Sequence, residues 1–142
     1  IRRVRHMPKK SSPKQMSRRE ARDLDIEIGF LEGVVSRDPE YVDALQILGD
    51  NYTRRGRFTK GLEVDLRRCR LRPVDALSHY NLACSLALTG EDGQAVDTLH
   101  RALDLGYRDF KWMRRDPDLK GLRQHPLYKS IRARVRELEG KE

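Results

Sequence analysis

Residues 42–73 read VDALQILGDNYTRRGRFTKGLEVDLRRCRLRP, in which two helix-like runs of apolar residues flank a glycine. The first run places five residues on one helical stripe: Val42, Leu45, Leu48, Gly49 and Tyr52. This spacing predicts an amphipathic helix over 42–54, and Gly56 suits the left-handed residue that ends such a helix. A second helix is predicted from about 59 to 71, where Pro73 stops it. Four of its residues are predicted to face inward: Gly61, Leu62, Leu66 and Cys69.

The pattern recurs at a fixed offset of 34 residues. Five pairs at this offset share an identity or exchange one small residue for another: Pro39 and Pro73, Leu48 and Leu82, Gly49 and Ala83, Gly56 and Gly90, Gly61 and Ala95. The second copy predicts helices over 76–88 and 92–105. Periods of about 20 to 50 residues are typical of stacked supersecondary units, and no alternating strand pattern competes with the helices. The chain is therefore predicted to be all-α and built of antiparallel helix hairpins.

These residues resemble the tetratricopeptide repeat family, whose 34-residue unit begins Trp-x2-Leu-Gly-x2-Tyr. The first copy here reads Leu45-x2-Leu48-Gly49-x2-Tyr52, and the second reads His79-x2-Leu82-Ala83-x2-Leu86. Three residues depart from the family pattern: Asp65, Arg68 and Tyr107. The resemblance covers residues 42–107. It implies a right-handed superhelix whose first helices line a concave groove, which binds an extended peptide or a helix of a partner protein.

The flanking segments are predicted to complete a repeat domain over 18–142, in which the repeats span 42–75 and 76–107. Residues 18–40 resemble the second helix of a preceding repeat, and residues 108–139 resemble a cap over the apolar face of the last repeat. Trp112 is interpreted as an anchor of this cap. The last helix, predicted from about 126 to 139, has an apolar stripe that packs back on the array or pairs with another chain: Leu127, Ile131, Val135 and Leu138.

The charge of the chain is unevenly distributed. The net charge is +8, but residues 1–23 hold nine basic and two acidic side chains, the middle is mildly acidic, and residues 108–136 are again basic. Residues 1–17 are predicted to be a flexible arm, because they contain too few apolar residues to bury. Three interpretations of this arm remain open: a solvated tail, an arm that binds phosphates or an acidic protein surface, and the flank of a targeting or membrane-anchor segment. Its basic residues are Arg2, Arg3, Arg5, Lys9, Lys10 and Lys14.

The sequence contains no motif for catalysis, a cofactor or a metal. There is no Gly-rich phosphate loop and no His-Glu-x-x-His, and Cys69 and Cys84 lack the spacing of a zinc site. Cys69 is interpreted as a small buried apolar residue. Two cysteines in a chain of this length favour free thiols in a reducing compartment, which we expect to be the cytoplasm. We therefore expect no enzyme activity, no cofactor and no small-molecule substrate.

The predicted binding site is the groove of the superhelix, where side chains of the first helices and the cap meet a protein or peptide partner. These residues are Asp43, Gln46, Ile47, Asp50, Arg54, Leu77, Tyr80, Asn81, Cys84, Lys111 and Arg115. One family subtype clamps a terminal carboxylate there; Asn81, Lys111 and Arg115 match it, whereas Gln46 and Asp50 do not. The function predicted from the sequence is a non-catalytic adaptor or scaffold.

Two alternatives remain open at this point. In the first, the chain is an accessory protein of nucleic acid or a ribonucleoprotein, which binds phosphates through its basic arm and basic cap. In the second, it is part of a larger protein or membrane assembly, in which this module serves as a docking arm.

Overall fold

The computed structural model describes residues 16–141, and over this part it forms eight α-helices, two 3₁₀ turns and no strand. The prediction of an all-α chain is confirmed. The six basic residues predicted for the arm lie outside the described residues. The described chain divides into two compact units, 16–73 and 74–141, which are described separately. The first contains α1 (Arg18–Arg37), α2 (Val42–Arg54) and α3 (Phe58–Leu71).

The second unit contains two long helices followed by a set of short elements. These are α4 (Ala76–Leu88), α5 (Asp92–Asp104), α6 (Phe110–Met113), a 3₁₀ turn (Pro117–Leu119), α7 (Lys120–Arg123), a second 3₁₀ turn (Pro126–Tyr128) and α8 (Lys129–Glu139). The helices predicted over 42–54 and 76–88 therefore have the expected bounds. The other two long helices of the repeats differ from their predicted bounds by one residue.

In the first unit, α1 packs on α2 and α2 packs on α3. Helix α1 begins with a capping box, in which the Ser17 hydroxyl accepts from the Glu20 amide at 3.1 Å and Glu20 accepts from the Ser17 amide at 2.9 Å. This arrangement satisfies two amide groups that a helix start otherwise leaves unpaired. The apolar residues of α1 and α2 form a common core: Leu24, Ile28, Leu31, Val35, Leu45, Leu48 and Tyr52.

Two glycines let α2 and α3 approach closely. A Cβ atom at Gly61 would lie 3.7 Å from the Gly49 carbonyl oxygen, and one at Gly49 would lie 2.9 Å from Oδ1 of Asp65. Real Cβ atoms essentially never come as close as the second distance. A larger residue at position 49 would therefore displace the Asp65 side chain.

The buried face of α3 differs from the predicted one. Gly61 and Cys69 are buried as predicted, but Leu66 is 39% exposed and Leu62 only partly buried. The rest of the buried face consists of Val64, Asp65 and Arg68. The prediction followed the apolar and small residues alone and did not count Asp65 and Arg68 toward the buried face, so the inferred inward side of the helix was rotated.

In the second unit, α4 packs along α5, while the short elements and α8 contact these two helices. Helix α4 is buried almost all round, including every residue from Tyr80 to Leu86. On α8, Ile131 and Val135 are buried as predicted, but Leu127 is 48% exposed. Leu127 belongs to the 3₁₀ turn, where the chain is out of phase with α8, so its neighbour Tyr128 points inward instead.

The two hairpins, α2–α3 and α4–α5, share the same backbone frame. Their first helices begin 34 residues apart, and so do their second helices. Gly56 and Gly90 have φ values of 80° and 82°, in the left-handed region that favours glycine. In each turn the amide three residues past the end of the helix bonds back to a carbonyl, Arg57 to Tyr52 at 2.8 Å and Glu91 to Leu86 at 2.9 Å. Both hairpins thus close with the same Schellman-type turn.

Candidate functional site

The outer face of α2 carries the predicted groove residues of the first unit. Asp43, Ile47, Asp50 and Arg54 recur at helical spacing on the side opposite the buried stripe of Leu45, Leu48 and Tyr52. Ile47 is 46% exposed and Asp43 is exposed, while the other three, Gln46 included, are partly buried. We call this surface the outer α2 face. Its one accessible apolar side chain, Ile47, is surrounded by polar and charged side chains.

The predicted groove residues on α4 separate into two groups. Leu77 is partly buried and Asn81 is 9% exposed. Tyr80 and Cys84 are 0% and 2% exposed, so a partner does not reach either side chain in this arrangement. The prediction that they contact a partner is corrected here: both lie in the interior because they face a buried carboxylate of the cap.

That carboxylate is Asp116, which is fully buried between α4 and the start of the first 3₁₀ turn. Its Oδ2 accepts from the Tyr80 hydroxyl at 2.7 Å, from Trp112 Nε1 at 2.9 Å and from Cys84 Sγ at 3.6 Å. Its Oδ1 accepts from the Asp118 amide at 3.0 Å. We call this set the Asp116 cluster. It agrees with the interpretation of Trp112 as an anchor of the cap.

In and beside the Asp116 cluster, burial keeps two tyrosine hydroxyl groups protonated. Burial holds the pKa of the Tyr80 hydroxyl well above its usual range, and the nearby Cys84 and Asp116 raise it further. The Tyr80 ring also stacks on Tyr107, with centroids 4.1 Å apart and planes 3° from parallel. Burial raises the pKa of Tyr107 as well. Both tyrosines therefore stay neutral, and Tyr80 stays a hydrogen-bond donor.

The same cluster contains the one group of potential metal ligands among the described residues. Donor atoms of Cys84, Asp116 and Asp118 lie within 4.8 Å of one another. Asp116 Oδ2, however, already accepts from Tyr80 and Trp112, and an ion there would have to displace both donors. The arrangement has the chemistry of a hydrogen-bonded structural link between α4 and the cap.

The remaining predicted groove residues, Lys111 and Arg115, lie at the surface of the cap. Both are exposed, and the Arg115 guanidinium lies 6.0 Å from the centre of the Trp112 ring, which is cation–π distance. They are available for contacts with a partner.

A serine and a histidine that the sequence analysis did not connect meet between α5 and α8. His100 Nε2 lies 3.0 Å from the Ser130 hydroxyl, while its Nδ1 lies 3.3 Å from the Arg134 guanidinium. Because a guanidinium only donates, Nδ1 must accept, so the proton is on Nε2 and points at Ser130. Ser130 in turn donates to the Leu127 carbonyl. In this tautomer His100 is no base for Ser130, and the contact serves to hold α8 on α5.

In the first unit, polar side chains of α1 hold the end of α2. Tyr52 donates to Glu32 at 2.5 Å, and the Asp25 carboxylate accepts from Arg55 at 2.8 Å. The hydrogen bond from Arg55 lowers the pKa of Asp25, and burial, followed by Glu32, raises the pKa of Tyr52. No local sequence signal joins these residues, because each pair is separated by at least 20 positions.

Comparisons with known proteins give limited similarity. The chain is 32% identical over 79 residues to a protein of Arabidopsis thaliana whose name assigns it to the chloroplast. The match covers 54% of this chain and 24% of that protein, so the chain matches about a quarter of the relative's length. No protein-family model matches the chain, and no solved structure matches it. Within residues 16–141, no helix is both long enough and apolar enough to cross a bilayer.

Proposed function

We propose that the chain is a non-catalytic adaptor, built of tetratricopeptide-like repeats, that binds a peptide or helix of a partner protein. The observation that carries this proposal is the common frame of the two hairpins, with equal helix spacing and equal glycine turns. Helical hairpins that repeat at this interval stack side by side, because each alone leaves an apolar face uncovered. In such a right-handed superhelix α2 and α4 would line the concave groove.

The outer α2 face supplies the binding chemistry of this proposal. Ile47 is an accessible apolar anchor, and Asp43 beside it can accept hydrogen bonds or pair with a basic side chain. On α4 the accessible contribution comes from Leu77 rather than from the buried Tyr80 and Cys84. Binding of this kind needs contacts and no reacting group.

The stacking is tested by distance measurements between spin labels on α2 and α4. We would attach the labels at Ile47 and Leu77, with Cys69 and Cys84 replaced by serine and alanine. One narrow distance distribution supports a fixed array. A broad distribution, as two independently moving units give, contradicts the superhelix.

Partner binding is tested by a pull-down from the host lysate, treated with nuclease, using wild type and two matched variants. Ile47→Asp places a charge on the outer α2 face, whereas Leu66→Asp places the same charge at an exposed apolar position of α3. We expect the first to lower recovery of a protein partner about tenfold, the size of a 1.4 kcal/mol loss, and the second to leave it unchanged. Equal effects of both variants would contradict binding at the outer α2 face.

The second candidate function is phosphate binding, which the charge of residues 1–23 favours. Several arginines of the cap hydrogen-bond within the second unit, so their guanidinium groups are less available to phosphate groups. These are Arg108, Arg114, Arg123, Arg132 and Arg134. Nucleic acid that disappears on removal of the arm, and whose affinity falls by about 10³–10⁵ between about 50 and 200 mM salt, would favour this candidate.

We also propose the cytoplasm as the compartment, because both cysteines are buried thiols outside any disulfide, as is usual in a reducing compartment. The name of the relative assigns that protein to the chloroplast. Fractionation of host cells with an antibody against this chain distinguishes the two compartments.

A further inference from the structure

A half-open cleft lies on the cap, apart from the outer α2 face. It has a volume of about 370 Å³ and lies between α6 and the segment from Tyr128 through α8. Its floor is apolar and formed by five side chains: Phe110, Met113, Tyr128, Ile131 and Val135. A cavity of this size and polarity is within the range of ligand sites in proteins, which is about 300–1,000 Å³.

The rim of the cleft is strongly cationic. Among the described residues that line it, four are arginines and none is acidic: Arg114, Arg123, Arg132 and Arg136. Arg132 and Arg136 are one turn apart on α8, where like charges repel each other and destabilise a helix. An anion bound between them would remove this repulsion.

Each rim arginine has a defined role. Arg123 donates to the Met113 and Asp116 carbonyls at 2.8 Å, so it belongs to the wall of the cleft. Arg132 donates one N–H to the Arg123 carbonyl and lies 5.0 Å from the centre of the Tyr128 ring, so its remaining N–H groups are the ones that can pair with a ligand. Arg136 is exposed and makes no side-chain hydrogen bond or ion pair with a described residue.

One of the rim arginines already pairs with a carboxylate of the chain that lies outside the lining of the cleft. Glu139, at the end of α8, accepts from the Arg114 guanidinium at 2.6 Å. Both side chains of this pair are substantially exposed, at 55% and 38%, so the pair is weakly held and open to exchange with another carboxylate. The Arg114–Glu139 pair shows that a rim arginine can bind the carboxylate of an acidic side chain.

From these features we infer that the cleft is a second docking site, which takes an acidic peptide segment of a partner protein. One large apolar side chain of the segment fills the cleft, and carboxylates on either side of it pair with Arg132 and Arg136. Charge complementarity selects this occupant, because an apolar floor alone would accept any hydrophobic group. The site differs from the proposed groove in position and in charge.

The test uses the full chain and an acetylated, amidated peptide of two glutamates, one phenylalanine and two glutamates. The chain contains three methionines, of which Met113 lines the cleft, so ¹³C-methyl labelling of methionine gives a simple spectrum with one resonance from the site. We expect the peptide to shift the Met113 resonance saturably. A peptide with glycine in place of phenylalanine should bind about tenfold more weakly, as expected from the loss of one buried aromatic side chain.

Two variants with the same change of charge provide the control. Arg136→Glu reverses a rim charge, and Arg101→Glu reverses an exposed charge on α5 of the same unit. We expect about a tenfold loss of peptide affinity for the first, of the order measured for charge-assisted contacts, and less than about a twofold loss for the second. Because Arg136 is exposed and not hydrogen-bonded, this variant should fold, which its circular dichroism verifies.

Three results would overturn the inference. No saturable Met113 shift would exclude the site. An equal loss for Arg136→Glu and Arg101→Glu would indicate general attraction to a basic surface. Binding of decanoate at Met113 without binding of the peptide would indicate a site for small amphiphilic anions. None of these results bears on Ile47, so the proposed adaptor function stands or fails separately.

Discussion

Position 65 on α3 and position 99 on α5 are equivalent in the 34-residue frame, yet one holds a buried aspartate and the other a buried leucine. The next equivalent pair differs in the same way, with Arg68 at 3% exposure and Ala102 at 0%. The helices that face them differ too, since α2 has Gly49 where α4 has Ala83. The first hairpin therefore buries charge against a glycine, whereas the second buries apolar groups against an alanine.

This difference shows which features of the hairpin are fixed by geometry. The left-handed glycines, the helix lengths and the small residues at the crossing are common to both copies. The chemistry of the remaining buried positions varies, provided that the facing residue leaves room, as Gly49 does for the Asp65 carboxylate. In the second unit the buried carboxylate lies on the cap, as Asp116, instead of on a repeat helix.

The largest effect is expected when the charge pattern of the first hairpin is transferred to the second. Leu99→Asp would bury an unpaired charge at a position with 0% exposure, at a cost of about 4 kcal/mol or more. This is a large share of the stability of an ordinary domain, about 5–15 kcal/mol. We expect the second unit to unfold at ambient temperature, as measured by circular dichroism during urea titration.

The reverse exchange should be far less costly. Asp65→Leu together with Arg68→Met removes both buried charges from α3, and replacements of buried charged groups by apolar residues are often neutral or stabilising. We expect a change within about 2 kcal/mol, and Leu99→Met as a control should cost less than about 1.5 kcal/mol. If the double variant unfolds as Leu99→Asp does, the two hairpins depend equally on their buried chemistry.

The next largest effect is expected in the Asp116 cluster. Asp116→Ala would leave the Tyr80 hydroxyl and the Trp112 Nε1 buried without their acceptor, and we expect a loss of about 3 kcal/mol. Tyr80→Phe removes one donor only and should cost about 1 to 1.5 kcal/mol. Urea titration followed by the fluorescence of Trp112, the single tryptophan, measures both changes.

A matched surface variant controls for loss of charge. Asp97 is exposed on α5, and Asp97→Ala should change the free energy of unfolding by less than about 0.5 kcal/mol. An effect of Asp116→Ala as small as this would mean that the cluster contributes little to the attachment of the cap.

Smaller, equal effects are expected at the two glycine turns. A Cβ at Gly56 or at Gly90 would meet no atom within 4 Å, so alanine at either position costs only the left-handed backbone conformation, about 1–2 kcal/mol. Gly93→Ala, inside α5 and also without a neighbour within 4 Å, should instead stabilise by up to about 1 kcal/mol. Unequal costs at Gly56 and Gly90, measured by thermal unfolding, would break the equivalence of the two turns.

The elements that follow from local rules could be predicted from the sequence. Helical periodicity predicts where the long helices run, and Gly56 and Gly90 predict where α2 and α4 end. Each of these signals depends only on residues that are close together in the chain. The buried face of α3 could not be predicted, because Asp65 and Arg68 are inside and a hydrophobic pattern assigns charged residues to the solvent. The same pattern assigns apolar residues to the interior, which is why Leu66 was predicted to face inward.

The Asp116 cluster was missed because its parts come from separate elements. Tyr80, Trp112 and Asp116 meet only after the 3₁₀ turn following α6 has placed Asp116 against α4. An Asp-Pro pair such as Asp116-Pro117 is typical of a helix start, and a 3₁₀ turn begins there, but the same pattern also fits an exposed aspartate. Of the predicted groove residues, Asp43 and Ile47 on the outer α2 face are exposed, whereas Tyr80, Asn81 and Cys84 on α4 are buried.

The smallest effect is expected at position 100, where the second hairpin has His100 and the first has Leu66. Burial, together with the nearby Arg134, lowers the pKa of His100 below its usual 6.5, because a second proton on the ring would face the guanidinium. The unfolded chain therefore binds a proton more readily than the folded one. Folding stability should be fully present above pH 6.5 and decrease as the pH falls from 6.5 through the lower pKa of the folded state.

The equivalent position of the first hairpin suggests a variant that tests how much of the pH dependence of stability comes from His100. His100→Leu introduces the residue of the equivalent position and removes the titrating group, so its stability should fall less between pH 7 and the acid end of that window. The effect is small because the ring is only partly buried and solvent screens it. Denaturant midpoints of wild type and variant across this range measure the difference. Parallel curves would show that the His100–Arg134 contact does not couple the attachment of α8 to pH.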